Sequence, residues 1–211
     1  MSTALAVDVL YAVVALFVIL DPVGTAIIFA ALTAGDDASK RRSIARRASV
    51  ISFLVLLIFG LAGGAFLRVL GIGIPALQIA GGALLFLSAK DMVTAKGELR
   101  GSEQALLAAS MHTDDISVFP LAIPLIAGPG GMTTMVLLHA RTHGTPLAVV
   151  MVVIALGLVM LVTFIGMLVA RPLAKLMGET GSSVVGRVLG IVVAALAAQF
   201  VIEGVRSAFS I

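Results

Sequence analysis

The chain has 211 residues, 60% of them hydrophobic and 12% charged, with a mean hydropathy of +1.18, which excludes a soluble globular domain because water is no solvent for so much apolar surface. The absence of cysteine excludes a disulfide framework, a thiolate nucleophile and a Cys-ligated metal. The net charge of +3 comes from Lys and Arg set in short loops between apolar runs, a pattern of membrane topology that excludes a nucleic-acid partner as its explanation.

A spanning helix needs about 20 mostly apolar residues, and the sequence predicts six, near 8–34, 48–70, 73–93, 117–139, 146–170 and 184–205. The expected fold class is an all-α membrane protein of six transmembrane helices. The N-terminal segment lacks a basic stretch ahead of its apolar run, so it is expected to be a first span rather than a cleaved signal peptide. Asp8 is expected at the interface.

The first span carries FVILDPVGTAIIF, in which Asp21, Pro22 and Gly24 fall inside an apolar run. Pro lacks an N–H and clashes with the preceding turn, so the helix is expected to break there and restart near Thr25. An acidic group within a span is costly and faces a cavity or finds a partner. Asp21 therefore serves a substrate ammonium, ligates Na⁺ or carries a proton, or else it caps the helix that begins at Pro22.

The first loop carries Lys40, Arg41, Arg42, Arg46 and Arg47, the third Lys90, Lys96 and Arg100, and the fifth Arg171 and Lys175. The other side has Arg68, Arg141 and Arg206, with Arg187 near the start of the last span. Odd loops are thus expected in the cytoplasm and both termini outside. In the third span, Gly81 and Gly82 allow another backbone to approach and are read as helix packing, while Gln78 and Gln199 are expected to bond between helices. The segment 95–115 connects the halves and is assigned no chemistry. His112, His139 and His143 show no ligand spacing, so no metal site and no cofactor are expected.

The fourth span carries PLAIPLIAGPGGMTTMV, a second cluster of helix breakers. Shifting the chain by 107 residues lays Asp21-Pro22-Val23-Gly24 on Gly128-Pro129-Gly130-Gly131, and at 109 Gly81 falls on Gly190 and Ala89 on Ala198. Each half then holds three spans, an odd number, so residues 1–94 and 116–211 are expected to be inverted repeats about the connection 95–115. In hydrocarbon, irregular backbone survives only where it is buried in protein or lines a wet cavity, and paired breaks of this kind form substrate sites in secondary transporters. The restarting helices present N–H groups and positive dipole ends suited to a carboxylate, with hydroxyls from Thr25, Thr133 and Thr134. The candidate substrate site is therefore Asp21, Pro22, Gly24, Thr25, Gly128, Pro129, Gly130, Gly131, Thr133 and Thr134.

Asp21-Pro22-Val23-Gly24 followed by Phe29 and Leu32-Thr33, then IAGGALLFL with Met92, then PLAIPLIAGPG, resemble the MarC family of bacterial inner-membrane proteins along essentially the whole chain. That family's first motif usually continues with Asn and then Pro, where this chain has Thr25 and Ile27. The resemblance implies six spans in a bacterial inner membrane and, through the family's SnatA-like branch, transport of small neutral amino acids such as glycine and alanine driven by a cation gradient.

The expected function is thus a secondary transporter of a small zwitterion coupled to Na⁺ or H⁺, with the lipid bilayer as its environment, a homo-oligomer being compatible with it. The competing readings are a structural or regulatory membrane protein without transport, a passive channel and an intramembrane enzyme. No enzyme is expected, because only Asp21 was found within the spans and catalysis needs paired groups. The absence of a G-x-x-x-x-G-K-[ST] motif excludes that route to self-powered pumping.

Overall fold

The computed structural model describes residues 2–94, 115–142 and 144–209, without the side chains of residues 2–8 and Glu179. The connection at 95–114, His112, His143 and the Asp8 side chain lie outside the described residues. Among those described there is no strand; the chain forms α1 (Ser2–Leu20), α2 (Pro22–Leu32), α3 (Ala38–Val69), α4 (Ile74–Val93), the irregular π-type segment α5 (Ser117–Ile126), α6 (Pro129–Arg141), α7 (Pro146–Leu168) and α8 (Ala170–Phe209). Five stretches are long and apolar enough to cross a membrane, Val9–Leu32 being one of them, and the pair α5 and α6, bent by 56°, makes a sixth when counted as one span.

The outer surface supports the same conclusion. Leu54, Ile58, Phe86, Ile154, Leu161 and Ile191 are all exposed, far more apolar surface than water tolerates, and a lipid-facing one. Inside, Leu16, Leu20, Phe29, Leu56, Leu121, Ile126, Met135 and Leu156 are fully buried and form the core.

Helix ends differ from the predicted spans where charge rather than hydropathy sets the boundary. α3 begins at Ala38, ten residues before its predicted span, because the Asp37 side chain accepts the Lys40 N–H at 2.8 Å and the Lys and Arg residues that follow are good helix formers. The fifth basic segment is also helical: α8 starts at Ala170, and Gly178, at φ 61°, turns it before the membrane-long stretch Thr180–Phe209. Between α3 and α4 the chain closes with Ile72 N–H on the Leu67 carbonyl at 2.9 Å, with Gly71 in the turn at φ 70°.

α4 and α8 make the most extensive helix contact. Their small residues recur every seventh position, at Gly82 and Ala89 on one helix and Gly190, Ala197 and Gly204 on the other, the repeat that keeps one seam facing its partner. Elsewhere α3 packs on α5 and α6, and α7 packs on α1 and α2; α4 lies against α6, and α8 against α2. Exchanging the two halves of the chain maps the α4–α8 contact onto itself and the others named here onto one another, whereas the contact of α1 with α8 has no counterpart of like extent.

Candidate functional site

α1 stops at Leu20 because a residue before proline is pushed out of the helical region. Asp21 sits at φ 43°, ψ 72°, and is the single non-glycine residue with positive φ among those described. The left-handed region costs an L-residue about 1–2 kcal/mol, and Asp is one of the few that visit it, because its short side chain bonds locally. Here Asp21 Oδ1 accepts the Gly24 N–H at 2.9 Å and caps α2. With that amide diverted, the Leu20 carbonyl takes the Thr25 hydroxyl instead, at 3.2 Å. The Asp21 N–H still reaches the Phe17 carbonyl at 3.1 Å, and the Asp21 carbonyl accepts the Thr25 N–H at 2.9 Å. The groups freed at Leu20 and Gly24 are thus both satisfied within the protein, as a low-dielectric surrounding demands. Gly24 has no room for a side chain, since a Cβ there would collide with the Asp21 carboxylate.

The second interruption is built differently. Phe119 and Ile123 adopt extended backbone ahead of Pro120 and Pro124, as residues before proline do. The Ala122 carbonyl accepts both the Ala127 N–H at 2.8 Å and the Ser52 hydroxyl of α3 at 3.3 Å, so α5 is held from outside itself. Gly128 then caps α6 with no side chain to offer, and Pro129 fills the first turn, where a missing N–H costs nothing. A Cβ on Gly128 would stand 2.6 Å from the Pro124 carbonyl oxygen.

These two segments meet. One cavity of about 320 Å³ is lined by Asp21, Gly24 and Thr25 from the first and by Pro124, Gly128, Pro129, Gly130 and Gly131 from the second, with Leu85, Ser88, Asp91 and Met92 of α4 and Val193 of α8. Seven of the ten predicted site residues therefore share it: Asp21, Gly24, Thr25, Gly128, Pro129, Gly130 and Gly131. The other three lie apart. Pro22 turns its carbonyl toward Gly166 of α7, Thr133 packs against Gly81, and the Thr134 hydroxyl donates to the Gly130 carbonyl at 2.8 Å. Gly81 and Gly82 do pack helices, the first against Thr133 and the second against Ala197 and Val201.

Sequence reasoning missed Asp91 and Ser88. The signal was available, since Asp91 lies inside the third predicted span just as Asp21 lies inside the first, but it was hidden beside Lys90 in a segment read for its basic charge. It also missed Glu203 in α8, which accepts from Gln199 at 3.1 Å within the same helix, so Gln199 does not make the expected bond between helices. Glu203 pairs with Arg141 of α6 at 2.8 Å, and the Arg141 guanidinium lies 4.8 Å from the centre of the Tyr11 ring of α1. The spans thus hold more than one carboxylate, which corrects the count on which enzyme chemistry was set aside. Among the described residues no group of three or more metal-type ligands occurs.

The cavity reaches Ser88, Asp91 and Met92 in the last turns of α4, toward the end of the bundle at which α2 also stops and α5 begins. On that side Arg47 of α3 pairs with Asp115 at 3.1 Å, and Arg171 of α8 donates to the carbonyls of Thr33, Ala34 and Asp36 at 3.3, 2.8 and 3.2 Å. A cation at the carbonyl end of a helix is favourable. The Ser117 hydroxyl and N–H beside Asp115, with Arg47 across from them, hold its carboxyl below the usual carboxylate range.

The chain matches the MarC family of integral membrane proteins over residues 7–209. Among its relatives are a UPF0056 membrane protein of Archaeoglobus fulgidus, 37% identical over 90% of this chain and 88% of its own length. The YvbG membrane protein of Bacillus subtilis is 32% identical over 96% of each chain. The inner membrane protein YhgN of Escherichia coli K12 is 33% identical over 94% of this chain and 96% of its own. No solved structure matches it. Apolar helices long enough to cross a bilayer and a family match along nearly their whole length lead to one statement of identity: this chain belongs to the MarC family of integral membrane proteins.

Proposed function

We propose that the protein is a secondary transporter of small neutral amino acids of the glycine and alanine type, coupled to a Na⁺ or H⁺ gradient and located in a bacterial inner membrane with both termini outside. The observation that carries this is the shared cavity: two helix interruptions more than a hundred residues apart in sequence line the same 320 Å³ space, together with the Asp21 carboxylate. A space of that size takes a small solute with its water, and the apolar walls at Leu85 and Val193 leave the polar work to few groups.

The two interruptions suit the two ends of a zwitterion. The first amide set is already engaged by the Asp21 carboxylate, whereas the N-terminus of α6 carries no side-chain cap and brings Gly130 and Gly131 to the cavity wall. A substrate carboxylate belongs at that positive helix end. Its ammonium, or the coupling cation, belongs toward Asp21 and Asp91. The exchange of helix contacts between the halves supports two inverted three-helix repeats, and rocking one against the other moves the cavity between faces.

Equilibrium binding tests the site without a gradient. Glycine and alanine added to the purified protein in detergent are expected to raise its unfolding temperature in the wild type and to lose that effect in Asp21→Asn. Equal stabilisation of the two proteins would remove Asp21 from the site, and none in either would remove these substrates.

A further inference from the structure

Away from the cavity, at the end of α6, the bundle carries a cluster of side chains on which the proposed function places no role. Arg141 at the end of α6 pairs with Glu203 of α8 at 2.8 Å and stands over the Tyr11 ring of α1 at 4.8 Å, while Gln199 steadies Glu203 through the other carboxylate oxygen at 3.1 Å. Two small spaces lie beside this cluster, one of about 50 Å³ and one of about 10 Å³, against about 320 Å³ at the cavity. The smaller of the two is lined by Arg141 together with Tyr11, Thr134 and Phe200.

We propose that Tyr11, Arg141 and Glu203 form the gate on this face, a latch that holds α1, α6 and α8 together while the cavity is open to the other side. The inference rests on the transport reading, since a gate needs something to admit. One residue joins three elements, and two of them, α1 and α6, lead directly into the interruptions at Asp21 and Gly128. Releasing Arg141 frees the ends of the two broken spans together, and α8 with them. The contacts suit a latch in kind, because an ion pair and a cation–π contact at a water-accessible mouth are weak enough to open. The opposite face is tied by other groups, Arg47 with Asp115 and Arg171 with the end of α2, so closing one side and opening the other exchanges distinct sets of bonds.

The chain has no cysteine, so single reporters can be placed without background. Thr134→Cys reports beneath the latch and Ser88→Cys reports in the cavity. A membrane-impermeant maleimide is applied to oriented vesicles from either face. The expected result is that Ser88→Cys reacts from the Arg47 face, whereas Thr134→Cys is protected from the Arg141 face. Adding Glu203→Gln is expected to speed labelling of Thr134→Cys from the Arg141 face by about two- to fivefold, the scale of one exposed ion pair. Exchanging the charges, Arg141→Glu with Glu203→Arg, is expected to restore protection.

Unchanged labelling in a folded Glu203→Gln protein would overturn the latch. If that variant does not fold, Tyr11→Leu, which leaves the ion pair in place, decides the matter by the same rate. Because the labelling is read without substrate, a wild type that moves no glycine or alanine ends the substrate assignment alone, and an unresponsive rate ends the latch alone.

Discussion

Gly82 approaches Ala197 so closely that a Cβ on the glycine would stand 2.7 Å from the Ala197 carbonyl oxygen, and Gly190 stands in the same relation to Ala89, with 3.2 Å to its carbonyl. Gly82 and Ala89 of α4 and Gly190 and Ala197 of α8 are thus the small residues at this helix contact. In a bilayer this contact holds without a hydrophobic driving force between helices, so close packing of small residues carries it. Gly82→Val is expected to force α4 from α8 at a cost of about 1–3 kcal/mol. It should lower the unfolding temperature in detergent, while Gly64→Val, where a Cβ meets nothing, should leave it unchanged.

Gly24→Ala is expected to dislodge the Asp21 carboxylate from its cap, because the new methyl group occupies the carboxylate's place. The lost cap costs about 1 kcal/mol. Asp21→Asn keeps an oxygen that can accept the Gly24 N–H, so it should unfold near the wild-type temperature. A large loss of stability in Asp21→Asn would show that the charge, and not the cap, holds the turn.

Thr25→Val is expected to leave the Leu20 carbonyl without a donor at a cost of about 1–3 kcal/mol. Thr25→Ser should recover most of it. Hydrogen exchange at the α1 and α2 junction would localise the effect; equal protection in the valine and serine variants would contradict it.

Asp115 gives a pH signature. Its carboxyl is held below the usual range by Ser117 and Arg47, so its contribution to stability is full above the unfolded value of about 3.9 and disappears as pH falls through the lower folded value. The gap in unfolding temperature between wild type and Asp115→Asn should therefore be present at neutral pH and close under acid. A gap that widens toward low pH would have the wrong sign.

How much was legible in the sequence follows from which signals are local. The two clusters of helix breakers were legible because Pro and Gly act on their own backbone; that both line one cavity is not a local signal. Thr133 and Thr134 were not separable from Thr25 by type: a hydroxyl near a helix start reads alike whether it mends a break, as Thr25 does, or bonds back to its own turn, as Thr134 does. Asp91 and Glu203 lie at span ends, where a charge reads as interfacial. Their setting depends on α4 entering the cavity wall and on Arg141 arriving from another helix, and neither is written in local pattern. α3 outran its predicted span for a related reason: hydropathy marks the bilayer, while the Asp37 cap marks the helix.

The most direct test is accumulation of radiolabelled glycine and alanine in proteoliposomes holding the wild type or Asp21→Asn, with Na⁺ and H⁺ gradients imposed separately. A transporter built on the shared cavity predicts uphill accumulation under one of the two gradients, lost in the folded Asp21→Asn protein. No accumulation under either gradient, or accumulation that Asp21→Asn leaves intact, would contradict it.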